Sequence, residues 1–482
     1  MDRIDIGVLH AGGRGVRIYP KSVWMPKVML EVEGKPIMER NLQILRDKFG
    51  IKKIYIVVGY LDRYIRDYFG NGAKFGVKIT YIKDNDMAGL ANATYLLKNY
   101  IKEPFVMILG DELYIDSNHE KMNDFLKMND DFFVVCGVKT TENIDAIKRN
   151  YSVEIKNGRI LKIVEKPEHT ANCILGCGTY VINPKFFDFI PLTAKSAKTG
   201  RVELMDAIDK AAVETGKVYP FFLAGEYMNI NRVEDLNNAN YLLRNKNFCN
   251  YKISIIIPTK NEEKSIANVI NDFKHQKGLC EILLIDASDD NTIQAAKRAG
   301  GDIVRTVTKK ELRYGAALRY GMSIAKGDIL ILAEADSTFR AKDIGKILEY
   351  MKDADMVVGT RTTRQMIEQG ANMDWFLRWG NVFLGKMVEL LWWRQEPRFT
   401  DVGCTYRGIW KDFYNKIKDN LTAPGPEFSV EMMIEVLRTR GRIIEIPISY
   451  YKRMAGESKH SAKRIKAIKN GLKMIKTIIR KL

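Results

Sequence analysis

The feature that most constrains this chain is an alternation that runs its course once and then starts again. Short apolar runs at 4–9, 54–58, 77–82 and 105–109 are separated by amphipathic segments of helical period, the pattern of an α/β domain on a largely parallel sheet. A hairpin at 152–164, turned at Asn157-Gly158, makes that sheet mixed in its second half. After a helical stretch at 234–243 and a polar segment at 244–251, new strands follow at 252–257, 282–285, 329–332 and 356–358. A chain of 482 residues exceeds what one core organises. Two tandem α/β domains are expected, 1–248 and 249–482.

Cysteine and histidine exclude several chemistries. The six cysteines form no C-x-x-C pair, and the five histidines lie at no metal-ligand spacing, so neither a disulfide framework nor a zinc site is expected. The nearest pair, Cys173 and Cys177, reads as core thiols. Any metal should be a hard ion held by carboxylates. The longest apolar stretch, 375–393, is interrupted by Arg378, Lys386 and Glu389, short of the ~20 apolar residues that span a bilayer. The first residues carry none of the marks of a secretory signal, which sets the expectation of a cytoplasmic protein.

The net charge of +18 calls for anionic partners. Residues 461–482 hold eight Lys or Arg and no acid, while Ile465, Ile468, Leu472, Ile475, Ile479 and Leu482 recur at spacings of three and four. This is a basic amphipathic helix. Its apolar stripe has two readings, packing on the domain or lying against an anionic membrane surface. Nucleic acid would also suit the charge, but no recognition motif accompanies the helix and none is expected as a partner.

The first strand runs into Leu9-His10-Ala11-Gly12-Gly13-Arg14-Gly15-Val16-Arg17, followed by Pro26-Lys27. Glycines there let backbone N–H groups approach phosphate oxygens, and Arg17 and Lys27 add charge where a pyrophosphate would sit. The combination resembles the signature of sugar-1-phosphate nucleotidyltransferases, which join an NTP to a sugar 1-phosphate. The resemblance extends over nearly the whole domain. It makes Gly12, Gly13, Gly15 and Gly89 nucleotide-binding, the last within Gly89-Leu90-Ala91-Asn92-Ala93, a loop closest to the glucose-1-phosphate thymidylyltransferase and uridylyltransferase form. It makes Asp111 of Leu109-Gly110-Asp111 a magnesium ligand, Glu165 and Gly178 sugar-binding, and Arg17, Lys27 and Lys166 catalytic. One departure stands out: Asn229 falls where the family supplies a second metal-binding Asp, and Asn231 is available to share that role.

The second series opens with Ile257-Pro258-Thr259-Lys260-Asn261-Glu262, then Asp286-Ala287-Ser288-Asp289-Asp290-Asn291-Thr292, then Glu334-Ala335-Asp336 at a strand end. Two carboxylates two residues apart at a strand terminus can share one divalent ion. These segments resemble family 2 glycosyltransferases, with Glu for the first Asp of the D-x-D motif and an acidic loop one residue short. Further on, 400–407, 427–431 and 453–459 are similar to the polyprenyl-phosphate sugar synthases, including dolichol-phosphate mannose synthase. The resemblance implies a nucleotidyltransferase fold followed by a GT-A fold, two tandem Rossmann-like nucleotide-binding domains. It makes Pro258, Asn261, Glu262, Asp286 and Asp290 nucleotide-binding, and Glu334 and Asp336 ligands of Mg2+ or Mn2+. Arg407, Arg453 and Lys459 would neutralise phosphates, and the Trp-rich stretch at 374–393 would lie against the membrane. The acceptor would be a polyprenyl or dolichyl phosphate, already nucleophilic; for a hydroxyl acceptor Asp401 is the candidate base. The fusion implies that the first domain makes the nucleotide sugar the second uses, the alternative being a first domain that only binds nucleotide or scaffolds.

Overall fold

The computed structural model describes residues 4–19, 21–170, 172–454 and 464–482. The chain divides into two compact units, Met1–Ala239 and Asn240–Leu482. The division falls inside the helix Val233–Asn247.

In the first unit, Ile6–Ala11 is a six-residue strand buried along its whole length, as a strand covered on both faces must be. It pairs in parallel with Lys53–Val58 on one side and Phe105–Leu109 on the other. The strand order therefore reverses at Ile6–Ala11, and the carboxyl ends of its neighbours open a crevice there. The strand Ile174–Ile182 adds antiparallel to Phe105–Leu109 and carries the hairpin Tyr151–Lys156/Arg159–Glu165. Asn157 and Gly158, at φ 51° and 74°, make the two-residue turn that matches strand twist. A separate two-stranded ribbon, Glu112–Ile115 against Glu226–Asn229, sets Asn229 directly opposite Glu112.

The second unit repeats the plan. Ile253–Thr259 lies between Leu279–Asp286 and Ile329–Leu332, parallel to both. The antiparallel strand Arg407–Trp410 then separates Ile329–Leu332 from Met356–Thr360. Both units are thus α/β, the first with a mixed sheet whose parallel strands flank Ile6–Ala11 and the second with a largely parallel one, in keeping with two tandem Rossmann-like domains.

Three sequence expectations need correction or refinement. Cys177 is buried but Cys173 is exposed, because it precedes the strand Ile174–Ile182 rather than lying in it. The Trp-rich stretch forms one helix, Trp375–Leu391, on which Trp375, Trp379, Phe383 and Leu390 are each more than 60% exposed. The helix Arg464–Arg480 packs through Met474, Thr477 and Ile478, while Ile465, Ile468, Leu472 and Ile479 stay exposed. No helix of the described residues is long and apolar enough to cross a membrane.

The end of this last helix is held by charge. Lys481, 8% exposed, places Nζ 3.1 Å from Glu431 and 2.8 Å from Glu435, both fully buried on the helix Phe428–Arg438. Glu435 also keeps Arg438 at 3.0 Å and Glu431 keeps the N–H groups of Thr422 and Ala423, so the loss on removing Lys481 falls at the low end of that for breaking a buried ion pair, ~3 kcal/mol. Lys481→Ala should lower the unfolding free energy of the second unit by about that amount, measured by urea denaturation, whereas Lys476→Ala, exposed on the same helix, should change it by less than ~0.5 kcal/mol.

Candidate functional site

The glycine-rich turn leaves Ile6–Ala11 beside the site's two basic residues. Gly15 sits at φ 61°, and a Cβ there would lie 2.9 Å from Cβ of Lys27; only glycine permits both the conformation and the approach. Lys27 is drawn inward, 8% exposed, and its Nζ lies 2.5 Å from Asp111 Oδ2 and 2.8 Å from Asn231 Oδ1. Arg17 Nη2 donates to the same Asn231 oxygen at 2.6 Å. Asn231 in turn donates to Asn229 Oδ1 (2.6 Å), and Asn229 donates to Asn150 Oδ1 (2.9 Å). The Lys166 backbone N–H donates to the Asn150 carbonyl at 2.7 Å, with Lys166 at φ 47°, so the Glu165-Lys166 turn is tied to the same network. The Lys166 side chain pairs with Glu165.

The structure thus brings Arg17, Lys27, Asp111 and Asn229 together with Asn231, the residue expected to share the Asn229 role, and it is the Asn231 side-chain oxygen that meets the cations. Asp111, Asn231 and the Lys27 ammonium show side-chain oxygens converging on a positive point, a donor set suited to a hard divalent ion. Gly12 packs on Gly59, and a Cβ on Gly12 would lie 4.0 Å from Asp84 Oδ2. Asp84 also accepts the Met87 N–H at 3.0 Å, which sets the loop leading to Gly89 beside the glycine turn. Gly13 has open space around it. Gly178 faces Glu112, whose Cδ lies 2.7 Å from where a Cβ would be. Glu112 had no sequence signal beyond following Asp111. Burial, and then the neighbouring Asp111 charge, push its carboxyl up to about 8.

In the second unit, Glu334 and Asp336 lie where two cavities meet, one of about 640 Å³ and one of about 530 Å³. Glu334 accepts a hydrogen bond from Thr405 Oγ1 at 2.6 Å; burial and then the Asp336 charge raise its pKa. Asp336 Oδ1 accepts from Thr338 Oγ1 at 2.6 Å, and Oδ2 pairs with Arg453 Nη2 at 2.6 Å. Arg453 also reaches Glu262, 3.5 Å away. Two carboxylates two residues apart, one of them drawn to the Arg453 guanidinium, fit a divalent cation. The smaller cavity is lined by Pro258, Glu262, Lys309, Lys310 and Arg313 among others. Asn261, Asp286 and Asp290 instead join the two loops: Asp286 accepts from Thr259 and Ser288 hydroxyls (2.6 and 2.7 Å), Asn261 N–H donates to Ser288 Oγ (2.8 Å), and Asp290 accepts the Thr292 N–H (3.0 Å).

Two expectations fail on burial. Arg407, 1% exposed, donates to the carbonyls of Cys404, Val402 and Ser429, and burial lowers its pKa to about 10; it holds a turn and has no route to a phosphate. Asp401, 0% exposed, is clamped by Arg361 through Nε (2.8 Å) and Nη2 (3.0 Å) and by the N–H groups of Arg361 and Gly403, so it is not a free base. Its partner Arg361 lines the larger cavity and was missed from sequence. Its signal was its place one residue beyond the strand Met356–Thr360, at a carboxyl end. Lys459 lies outside the described residues.

The class these folds and sites define is that of nucleotide-dependent transferases. Residues 6–246 match the family model "Nucleotidyl transferase" and residues 254–410 match "Glycosyl transferase family 2". The chain belongs to the nucleotidyl transferase family and carries a glycosyl transferase family 2 domain in its second half. Its first half is 30% identical over 244 residues to the UTP–glucose-1-phosphate uridylyltransferase AglF of Haloferax volcanii, covering 49% of this chain and 96% of that one. It is 30% identical over 241 residues to the bifunctional protein GlmU of Methanococcus maripaludis, covering 50% of this chain. This chain spans 54% of the length of that relative. A crystal structure of UDP-glucose pyrophosphorylase complexed with UDP-glucose aligns with 50% of this chain and 99% of its own, at 21% identity and a TM-score of 0.46.

Because the Glu112 pKa is raised on folding, from 4.5 to about 8, the folded state binds its proton more tightly than the unfolded one. Stability from this group is present below the unfolded value and is lost as pH rises through that window, by up to ~1.4 kcal/mol per pH unit. Glu112→Gln should flatten the fall in urea stability of the metal-free protein between these pH values. An unchanged slope would show that Glu112 ionises freely in the fold.

Proposed function

We propose that the first unit joins a nucleoside triphosphate to a sugar 1-phosphate and that the second transfers a sugar from a nucleotide donor to a lipid phosphate. The observation that carries the first half is the Lys27–Asp111–Asn231–Arg17 cluster at the crevice. A sugar phosphate oxygen attacks the α-phosphorus of the NTP, the bond from that phosphorus to the bridging oxygen breaks, and pyrophosphate leaves with the electron pair. No proton need move, so the work of Arg17, Lys27 and Lys166 is positioning and charge neutralisation. Mg2+ or Mn2+ on Asp111 and the two asparagines would add positive charge against the triphosphate. UTP and glucose 1-phosphate head the substrates to test, since these are the substrates named for the Haloferax relative.

In the second unit, an acceptor phosphate oxygen attacks the sugar's anomeric carbon and the nucleoside diphosphate leaves. A divalent ion on Glu334 and Asp336 would offset the charge of that leaving group. The acceptor reading rests on the larger cavity, walled by Phe376, Phe383, Leu384, Ile468 and Leu472 yet reaching the polar Glu334, Asp336 and Arg361. That combination suits a phosphate on an apolar chain. The exposed Trp375, Trp379, Phe383, Ile468 and Leu472 would enter the interface of an anionic membrane, with nearby basic residues adding roughly 1 kcal/mol each. The protein would work as a peripheral enzyme on a cytoplasmic face. A second reading, in which the first unit only binds nucleotide, draws on Asn229: an asparagine brings no charge to a metal.

Lys27→Ala should cut pyrophosphate release by about 100-fold or more while leaving transfer from a supplied nucleotide sugar unchanged. Asp336→Ala should do the reverse. NTP binding by the wild-type chain without pyrophosphate release, across a panel of sugar 1-phosphates with Mg2+, would replace the first half of this reading with the scaffold one.

Trp379→Ser combined with Phe383→Ser should lower cosedimentation with anionic liposomes severalfold at low salt. Equal binding by the variant and the wild type would remove this helix from the membrane contact.

A further inference from the structure

Charge on the C-terminal helix is not all directed outward. Lys466, Lys469, Asn470 and Lys473 line the smaller cavity, and their spacing of three, four and seven residues puts them on one helical face. Ile468, Leu472 and Ile475, on an adjoining face, line the larger cavity. One helix is therefore a wall of both cavities, and those cavities meet at Glu334 and Asp336.

The smaller cavity has eight basic lining side chains against four acidic ones. Elsewhere in the lining much of that charge is already paired: Lys309 with Glu311 at 3.7 Å, Lys310 with Asp289 at 2.5 Å, and Arg453 with Asp336 and Glu262. Lys466, Lys469 and Lys473 form no ion pair among the described residues, and their exposed ammonium groups are available to an anion. The helix is fixed in place by the buried Lys481–Glu431–Glu435 cluster at its end, so its lysine face is presented from a rigid mount.

We propose that Lys469 and Lys473 bind the diphosphate of the nucleotide donor, and that the C-terminal helix is a shared wall which grips donor phosphate on one face and the acceptor's apolar chain on the next. This inference rests on the reading of the second unit as a nucleotide-sugar transferase. It makes the two lysines positioning residues for the leaving group: they neutralise charge that grows on the diphosphate as the sugar departs.

The test is calorimetric titration of the full-length protein, with Mg2+, using UDP, GDP, CDP, ADP and dTDP, and then the matching monophosphate of whichever binds. The component that Asp336→Ala removes identifies the second unit's isotherm. Lys469→Ala combined with Lys473→Ala should weaken diphosphate binding in that component at least ~10-fold and monophosphate binding less than ~3-fold, the selectivity expected of charge-assisted contacts to the second phosphate. Lys469→Arg with Lys473→Arg should retain most of the affinity. Lys476→Ala, which removes the same charge outside both cavities, should change nothing. Unchanged diphosphate affinity in the double alanine variant would overturn the inference, as would an equal loss for mono- and diphosphate, which would signify a displaced helix. Absence of any Asp336-dependent diphosphate component in the wild type would instead overturn the transferase reading on which the inference stands.

Discussion

In each unit a carboxylate stands at or just beyond the carboxyl end of a strand, and a cation from a distant segment holds it. Lys27 reaches Asp111 at 2.5 Å and Arg453 reaches Asp336 at 2.6 Å. Sheet topology supplies the carboxylate, because the crevice at a reversal in strand order gathers loop ends. Charge supplies the rest. A partly desolvated acid without a partner would take up a proton, as burial pushes Glu112 and Glu334 to do. Lys27 and Arg453 place a cation beside the neighbouring Asp111 and Asp336, where another positive charge could take its place. They also explain why the loops bearing Lys27 and Arg453 lie where they do.

The parts of the fold that follow from periodicity were legible in the sequence. Alternating strands and helices, the Asn157-Gly158 hairpin and the restart after the first unit all reflect local rules that tertiary packing did not override. The first site was largely legible too, because the Gly15 conformation, Lys27 and Asp111 each carry a local signal. Asn231 became central only through its contacts: its side chain is the one that meets Arg17 and Lys27, whereas position in the sequence singled out Asn229 two residues earlier and left Asn231 a secondary candidate. Glu112 is similar, since its burial beneath Gly178 depends on the ribbon register that pairs Glu112 with Asn229.

The second site shows why charge type alone misleads. Asp401 and Arg407 look like chemistry in a sequence, an acid and a base within one segment of family resemblance. Both are inside the protein. Arg361 neutralises Asp401 in a bidentate pair, and three backbone carbonyls satisfy the Arg407 guanidinium. Their effect is to fix the turn that presents Thr405 to Glu334. A linear sequence records which side chains are charged, but not whether a charge is needed to hold a loop or to meet a ligand.

The C-terminal helix carries the same lesson in its periodicity. An apolar stripe flanked by lysines is what a membrane-surface helix requires, and it is also what a helix dividing an apolar cavity from an anion-binding one requires. A two-sided reading of apolar against polar cannot separate them. The folded helix has more than two sides: Met474, Thr477, Ile478 and Lys481 pack inward, Lys466, Lys469 and Lys473 border one cavity, and Ile465 and Ile479 remain exposed. Ile468 and Leu472 border the other cavity while staying half or more exposed, so the same side chains can touch both a bound apolar chain and a bilayer. For a lipid phosphate that is a physical economy. If the acceptor is the lipid phosphate proposed above, its head would reach Glu334 and Asp336 while its tail stayed in the membrane, and a helix with successive faces toward the phosphate, the apolar chain and the bilayer would spare that chain from being pulled fully into water.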